Sequence, residues 1–267
     1  MNNISPQYKA YLKKQKRNKW LVHLIQIFIL VAIIGLWELL AIIGAIDTFI
    51  TSSPSKIIET IINLATQGDL MLHVGTTLYE AILGFVIATG LGTFIAILLW
   101  FSETARKVLD PFLVVLNSLP KIALGPIIII WVGIGTTSIV VMDVLIMIII
   151  TTITMLNAFC NCEHNKIMLL TSYGANKLQI LSKLILPNAI LDFIGVLKVN
   201  VGLTWVGTIM GEYLNSRAGL GYLIVYGGQV FNLNLVMAST VILCVLAAVM
   251  YLIVAAFEKY VKKHLVS

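Results

Sequence analysis

With 267 residues, 59% of them hydrophobic and only 11% charged, the chain has too few charges for a soluble domain, whose helices and strands alternate apolar with polar positions. A formal charge of +6 would suit a nucleic-acid binder, but no basic stripe interleaved with aromatics exists outside the tails, which excludes that class. The apolar residues come instead in blocks of about 20 or more, the length at which a helix spans hydrocarbon.

A basic tail, residues 1–19, precedes the first block, Trp20 to Ile43. Its apolar run exceeds the core of a cleavable signal peptide and no small-x-small site follows, so it reads as a retained anchor. Ala45 to His73 then forms the one sizeable polar connection on its side of the membrane. Within it, SSPSKIIETIINLATQGD has the pattern of a capped amphipathic helix, with Ser53 or Ser55 at its start, Ile57, Ile58, Ile61, Ile62 and Leu64 on its apolar side, and Gly68 as a stop.

Five further spans follow: Val74 to Phe101, Leu109 to Ile134, Thr137 to Phe159, Ala189 to Gly211 and Leu235 to Phe257. All are expected to be helices, because backbone groups in lipid must be paired within their own segment. The fold class is therefore all-α, a polytopic bundle of six transmembrane helices over 20–257, with a polar loop at 160–187 and a short tail at 258–267. Fourteen of the eighteen basic residues fall in the N-terminal tail, the loops after the second and fourth spans and the C-terminal tail. The loops on the other side hold only Lys56 and Arg217. This asymmetry places both termini and the 160–187 loop in the cytoplasm.

Cys160 and Cys162 border a cytoplasmic loop and Cys244 lies in a span, so disulfides are not expected. Cys160, Cys162 and His164 lack a fourth nearby ligand and do not make a metal motif. No phosphate-binding G-x-x-x-x-G-K-[ST], no H-E-x-x-H and no G-x-S-x-G occurs. Asp110, Asp143 and Asp192 lie on different spans without a partnering motif, so an intramembrane hydrolase is not indicated. Transport remains, and polar groups inside spans become the candidates, since such groups face the bundle interior or a water-lined path.

In the third span Asn117, Lys121 and Gly125 recur every four residues on one helical face, beside Pro120 and Pro126. Prolines near mid-span break the hydrogen-bond ladder, and unwound backbone at that depth marks a pathway wall. Two readings of Lys121 stand side by side: a pathway residue, or a cation paired with an acid on a neighbouring helix. The fourth span sets Asp143, Thr154 and Asn157 on one stripe. In the fifth, Lys198, Trp205 and Glu212 repeat at seven, and Asn200, Thr204 and Thr208 repeat at four, a spacing suited to helix packing. Glu212, at the outer end before NSRAGLGYLI, reads as an outer-gate residue or as an interfacial acid facing water.

Four segments then carry a family resemblance: HVGTTLYEAILGF at His73 to Phe85, LDPFLVVLNSLPKIALGPIIIIWVGIGTTS at Leu109 to Ser138, SYGANKLQILSKLILP at Ser172 to Pro187, and GEYLNSRAGLGYLI at Gly211 to Ile224. Over about Leu36 to Phe257 the chain resembles the permease subunit of bacterial ATP-binding-cassette importers, in the group serving nitrate, sulfonate, taurine and related substrates. The resemblance implies that the loop after the fourth span holds coupling helices seated on an ATPase subunit, with the pattern E-A-A-x-x-x-G, nine residues, then I-x-L-P. Gly174, Leu184, Leu186 and Pro187 occupy the matching positions, with Ala175 beside the glycine, while Met168, Leu169 and Leu170 stand where E-A-A is expected. It further implies a homodimer of permeases lining one pathway, two cytoplasmic ATP-binding subunits that hold ATP and magnesium, and an external solute-binding protein. This chain itself is expected to carry no cofactor. Asn117, Lys121, Asp143, Trp205 and Glu212 are the pathway candidates. SYGANKLQILSKLIL is expected to act as a rigid helical lever with Leu178, Leu181 and Leu184 on its apolar side. A lysine on the pathway suits a small anion; relatives serving thiamine pyrimidines or riboflavin give the alternative. An ion-driven secondary transporter would show matching broken helices in two halves, and only one span is interrupted by proline.

Overall fold

A computed structural model describes residues 6–265, which are helical between short connections, with no strand among the described residues. Helix α1 (Pro6–Ile42) runs from within the basic tail through the first apolar block without a break. The tail thus continues the span, with residues 1–5 outside the described range. Every described side chain of α1 from Lys13 to Leu36 is exposed, as an apolar helix bathed in lipid would be. Its far end leans on the next helical layer, where the Ser55 amide donates to Glu38 Oε2 at 3.1 Å.

A single turn, α2 (Thr48–Thr51), is capped by Asp47. The expected amphipathic helix follows as α3 (Pro54–Thr66), with Ser53 as the capping residue and Pro54 in its first turn, where a missing N–H costs nothing. Ile57 is buried while Ile58 and Ile62, one turn apart, remain exposed.

Helices α4 (Asp69–Phe101), α7 (Thr136–Cys160) and α11 (Ile190–Asn215) form the packed centre of the molecule. Close approach is set by missing side chains. A Cβ on Gly84 of α4 would come within 2.4 Å of Asp143 Oδ2, and one on Gly207 of α11 within 2.0 Å of Asp143 Oδ1. Small residues let membrane helices approach in this way, and hydroxyl and amide groups then bond across the interface at about 0.6 kcal/mol each on average. Asn200 Nδ2 donates to Thr89 Oγ1 and to Thr151 Oγ1, each at 2.9 Å, Thr204 contacts Met147 Sδ at 3.1 Å, and all three α11 residues of the fourfold repeat are fully buried. That repeat is a packing stripe.

The third span departs from a straight crossing. Helix α5 (Glu103–Ser118) ends where Leu119 turns extended ahead of Pro120, a tight turn takes residues Lys121–Leu124, and α6 (Gly125–Val132) leaves at 83° to α5. Pro120 makes the break, whereas Pro126 sits in the first turn of α6 and disturbs nothing. Among the described residues five helices are long and apolar enough to cross a membrane, and there are six crossings if this bent pair counts as one span.

Beyond α7 lie three short helices, α8 (His164–Ser172), α9 (Lys177–Ile180) and α10 (Leu186–Asn188), with a wide turn over Leu181–Ile185 between the last two. At the other end of α11, α12 (Leu220–Gln229) is about 15 Å long, too short to span. Helix α13 (Leu233–Leu265) returns through the layer and carries the C-terminal basic residues, with 266–267 outside the described range. Lys198 of α11 pairs with Glu258 of α13, which also accepts from Lys262 at 2.8 Å.

Candidate pathway and coupling site

At one end of the bundle, residues 160–187 form a bent helical platform. Gly174 has φ +82, a conformation that costs an L side chain about 1–2 kcal/mol, and it closes α8. Asn176 then starts α9 with a reciprocal cap: its side chain accepts from the Gln179 amide at 2.8 Å while Gln179 Oε1 accepts from the Asn176 amide at 2.9 Å. The platform sorts the predicted coupling residues into two sets. Leu170, Ala175 and Leu184 pack inward against a cluster that includes Leu99 of α4 and Met155, Leu156 and Phe159 of α7. Met168, Leu169, Gly174, Leu186 and Pro187 face outward, and Met168 and Leu169 are more than half exposed.

The apolar side of the lever differs from the expected Leu178, Leu181 and Leu184. Leu178 is 67% exposed, while Ile180 and Ile185 join Leu181 in the core. Leu178 lies at the start of α9, ahead of the wide turn over Leu181–Ile185, and turns outward there. Pro187 lies in α10, three residues before the first residue of α11.

At the opposite end, polar groups from four helices meet. Asp143 is fully buried between Gly84 and Gly207, and Thr208 Oγ1 donates to its Oδ2 at 2.7 Å. Glu80 of α4, equally buried, accepts from Thr136 Oγ1 at 2.8 Å. Three successive amides at the start of α12 are each held by a side chain: Gly219 by His73 Nδ1 at 3.0 Å, Leu220 by Thr77 Oγ1 at 2.8 Å, and Gly221 by Glu212 Oε2 at 2.5 Å. These amides would otherwise be orphan donors of a helix start, and the carboxylate complements the partial positive charge there. Asn215 donates to Ser138 and closes the same junction.

Glu212 is 1% exposed, so the reading as an interfacial acid facing water is overturned. His73, Thr77 and Glu80 were not singled out from the sequence, although their spacing of four and three residues places them on one face of α4. Beside them a cleft of about 360 Å³ opens between Thr76, Glu80, Thr136, Asn215 and Arg217.

The remaining candidates separate. Lys121 Nζ donates to the Asn117 carbonyl oxygen at 3.2 Å and to its Oδ1 at 3.4 Å, and it forms no ion pair among the described residues. The pairing with a neighbouring acid is thereby replaced by a local bond across the break in the third span. Trp205 is buried in the cluster that holds Leu220 and Leu223, which does not include Lys121. Thr154 and Asn157 are exposed where Asp143 is not, because the lower halves of α7 and α11 part around a cleft of about 420 Å³ that also holds Asp192 and Gly195. Cys160 Sγ accepts from Arg106 Nη1 at 2.7 Å while Cys162 is buried, and no group of three His, Cys, Asp or Glu among the described residues is arranged to hold a metal.

Comparison with known proteins gives this geometry its context. Residues 84–266 match the family model described as binding-protein-dependent transport system inner membrane component. A putative aliphatic sulfonates transport permease of Bacillus subtilis is 28% identical over 231 residues, covering 86% of this chain and 83% of that protein. A probable ABC transporter permease of Haemophilus influenzae is 30% identical, covering 81% and 87%. Further relatives bear the names of taurine, formylaminopyrimidine and riboflavin permeases. Among solved structures, a bacterial alginate ABC transporter in complex with an alginate-pentasaccharide-bound periplasmic protein shares the fold, with a TM-score of 0.64 at 12% identity, covering 94% of this chain and 98% of that one. The chain therefore belongs to the family of binding-protein-dependent transport system inner membrane components, the membrane permeases of ABC importers.

Proposed function

We propose that two copies of this chain enclose one translocation pathway and are driven by two cytoplasmic ATPase subunits seated on the 160–187 platform. The observation that carries this reading is the two-sided platform itself. Leu170, Ala175 and Leu184 fasten it to the ends of α4 and α7, and Met168, Leu169, Tyr173 and Leu178 leave an apolar surface open on its other side. A partner pushing on that surface moves α4, α7 and α11 together, because the connection runs through packed side chains and a capped helix and not through a flexible loop. ATP and magnesium belong to the partner, since this sequence has no phosphate loop. The surplus of basic residues on the platform side supports its cytoplasmic placement, with both termini.

At the outer end, α12 serves as a gate element latched by His73, Thr77 and Glu212, and an external solute-binding protein delivers the solute there. Lys121, at the break in the third span, favours a small anion: nitrate, a sulfonate, taurine or a related compound. The names of the sulfonate and taurine permeases support that choice. The relatives named for formylaminopyrimidine and riboflavin support the second reading, a vitamin precursor. Thermal-shift screening of the cognate solute-binding protein distinguishes them: stabilisation by sulfonates supports the anion reading, and stabilisation by pyrimidines or flavins alone contradicts it.

A further inference from the structure

The first 37 residues contain no acid, yet they hold Lys13, Lys14, Lys16 and Arg17 in one stretch of helix α1. At about 100° per residue, these four and Trp20 share an arc of about 160°, with Gln15, Asn18 and Lys19 outside it. All four cations are exposed and unpaired with any acid among the described residues, and with Trp20 they border a cleft of about 640 Å³. Trp20, 66% exposed, begins the apolar run, and tryptophan at that junction sits at headgroup level. With a rise of about 1.5 Å per residue, Lys16 to Lys13 fall roughly 6–10 Å beyond it, within the polar layer that flanks the hydrocarbon.

We propose that the Lys13–Arg17 face of α1 is a binding surface for anionic phospholipid headgroups. Four of the five basic residues from Lys13 to Lys19 lie on this face, the depth is fixed by the span that continues from it, and anionic lipid headgroups at that depth complement four clustered cations. The phosphodiester sits in the cleft between the cations, with the indole of Trp20 holding the helix at the boundary of the acyl chains. This surface tethers the one helix that the rest of the bundle barely touches, since α1 has no buried residue within its spanning window. The inference rests on α1 crossing a membrane and is independent of what the protein transports.

The test uses the full-length protein in nanodiscs of phosphatidylcholine, with or without phosphatidylglycerol, and a water-soluble amine-acylating reagent read residue by residue by mass spectrometry. Acylation of Lys13, Lys14 and Lys16 should fall about fivefold in the anionic discs, while Lys166 on the platform is unchanged. High salt should restore it. Equal acylation in both discs overturns the proposal, and so does equal protection by inorganic phosphate in phosphatidylcholine discs, which would mark a soluble-anion site. A K13Q/K14Q/K16Q/R17Q variant should retain less phosphatidylglycerol in native mass spectrometry, and unchanged retention contradicts the assignment. Because neither readout involves uptake or the ATPase, its failure leaves the importer reading standing.

Discussion

The ammonium of Lys177 donates to the carbonyl oxygen of Phe101 at 3.1 Å, so the start of α9 is tied to the last turn of α4 across 76 positions of sequence. A cation at a helix C-terminus satisfies an orphan carbonyl and complements the helix dipole, at about 0.3–1 kcal/mol when exposed. Lys177→Met should lower ATP-driven uptake while the protein remains inserted and dimeric, and Lys177→Arg should restore most of it. Uptake by the Met variant equal to the parent would show that the tie carries no force.

Gly174 offers a sharper test of the platform. A Cβ there meets open space, so the obstacle to substitution is φ +82 alone. Gly174→Val should strain the bend by about 1–2 kcal/mol and raise the ATP consumed per solute imported. Gly174→Asn, whose side chain tolerates that conformation, should behave nearly as the parent. Equal coupling ratios in the Val and Asn variants would contradict this account.

The contact between Gly207 and Asp143 predicts a non-additive pair. Gly207→Ala places a methyl 2.0 Å from Asp143 Oδ1 and should destabilise by about 1–3 kcal/mol through overpacking. Asp143→Ala removes the obstructing carboxylate but leaves the Thr208 hydroxyl unpaired. The double variant should be less destabilised than the sum of the two, measured by thermal unfolding in detergent, and simple additivity would show that the two side chains do not meet.

Lys121 stands at the break of the third span with Asn117 as its one partner among the described residues. Lys121→Ala should reduce uptake without loss of folded protein, and Lys121→Arg should retain part of it. Normal uptake by the Ala variant would reduce the residue to a local support of the bend.

The spans and the platform were legible in the sequence because their signals are local: apolar length, proline, glycine and capping residues act on their own neighbours. The cap at Ser53, one of the two serines the pattern offered, and the fourfold stripe Asn200, Thr204, Thr208 appear where the spacing places them. What escaped depended on partners distant in sequence. The 83° turn of the third span follows from Pro120, but its angle is set by packing that no local pattern encodes. Glu212 was misread as facing water in one alternative because the amide it holds, Gly221, becomes its neighbour only when α12 folds back. His73 and Thr77 gained meaning only with the same fold-back, and Glu80 only when Thr136 of α7 came beside it.

The most direct measurement is co-purification from the native membrane of a tagged full-length chain, followed by reconstitution in vesicles. The account predicts that a nucleotide-binding ATPase subunit co-purifies, is lost when Met168, Leu169 and Leu178 are all replaced by Asp, and supports ATP-dependent uptake in the presence of its solute-binding protein. A chain that brings down no ATPase and whose vesicles take up no solute with ATP would contradict it.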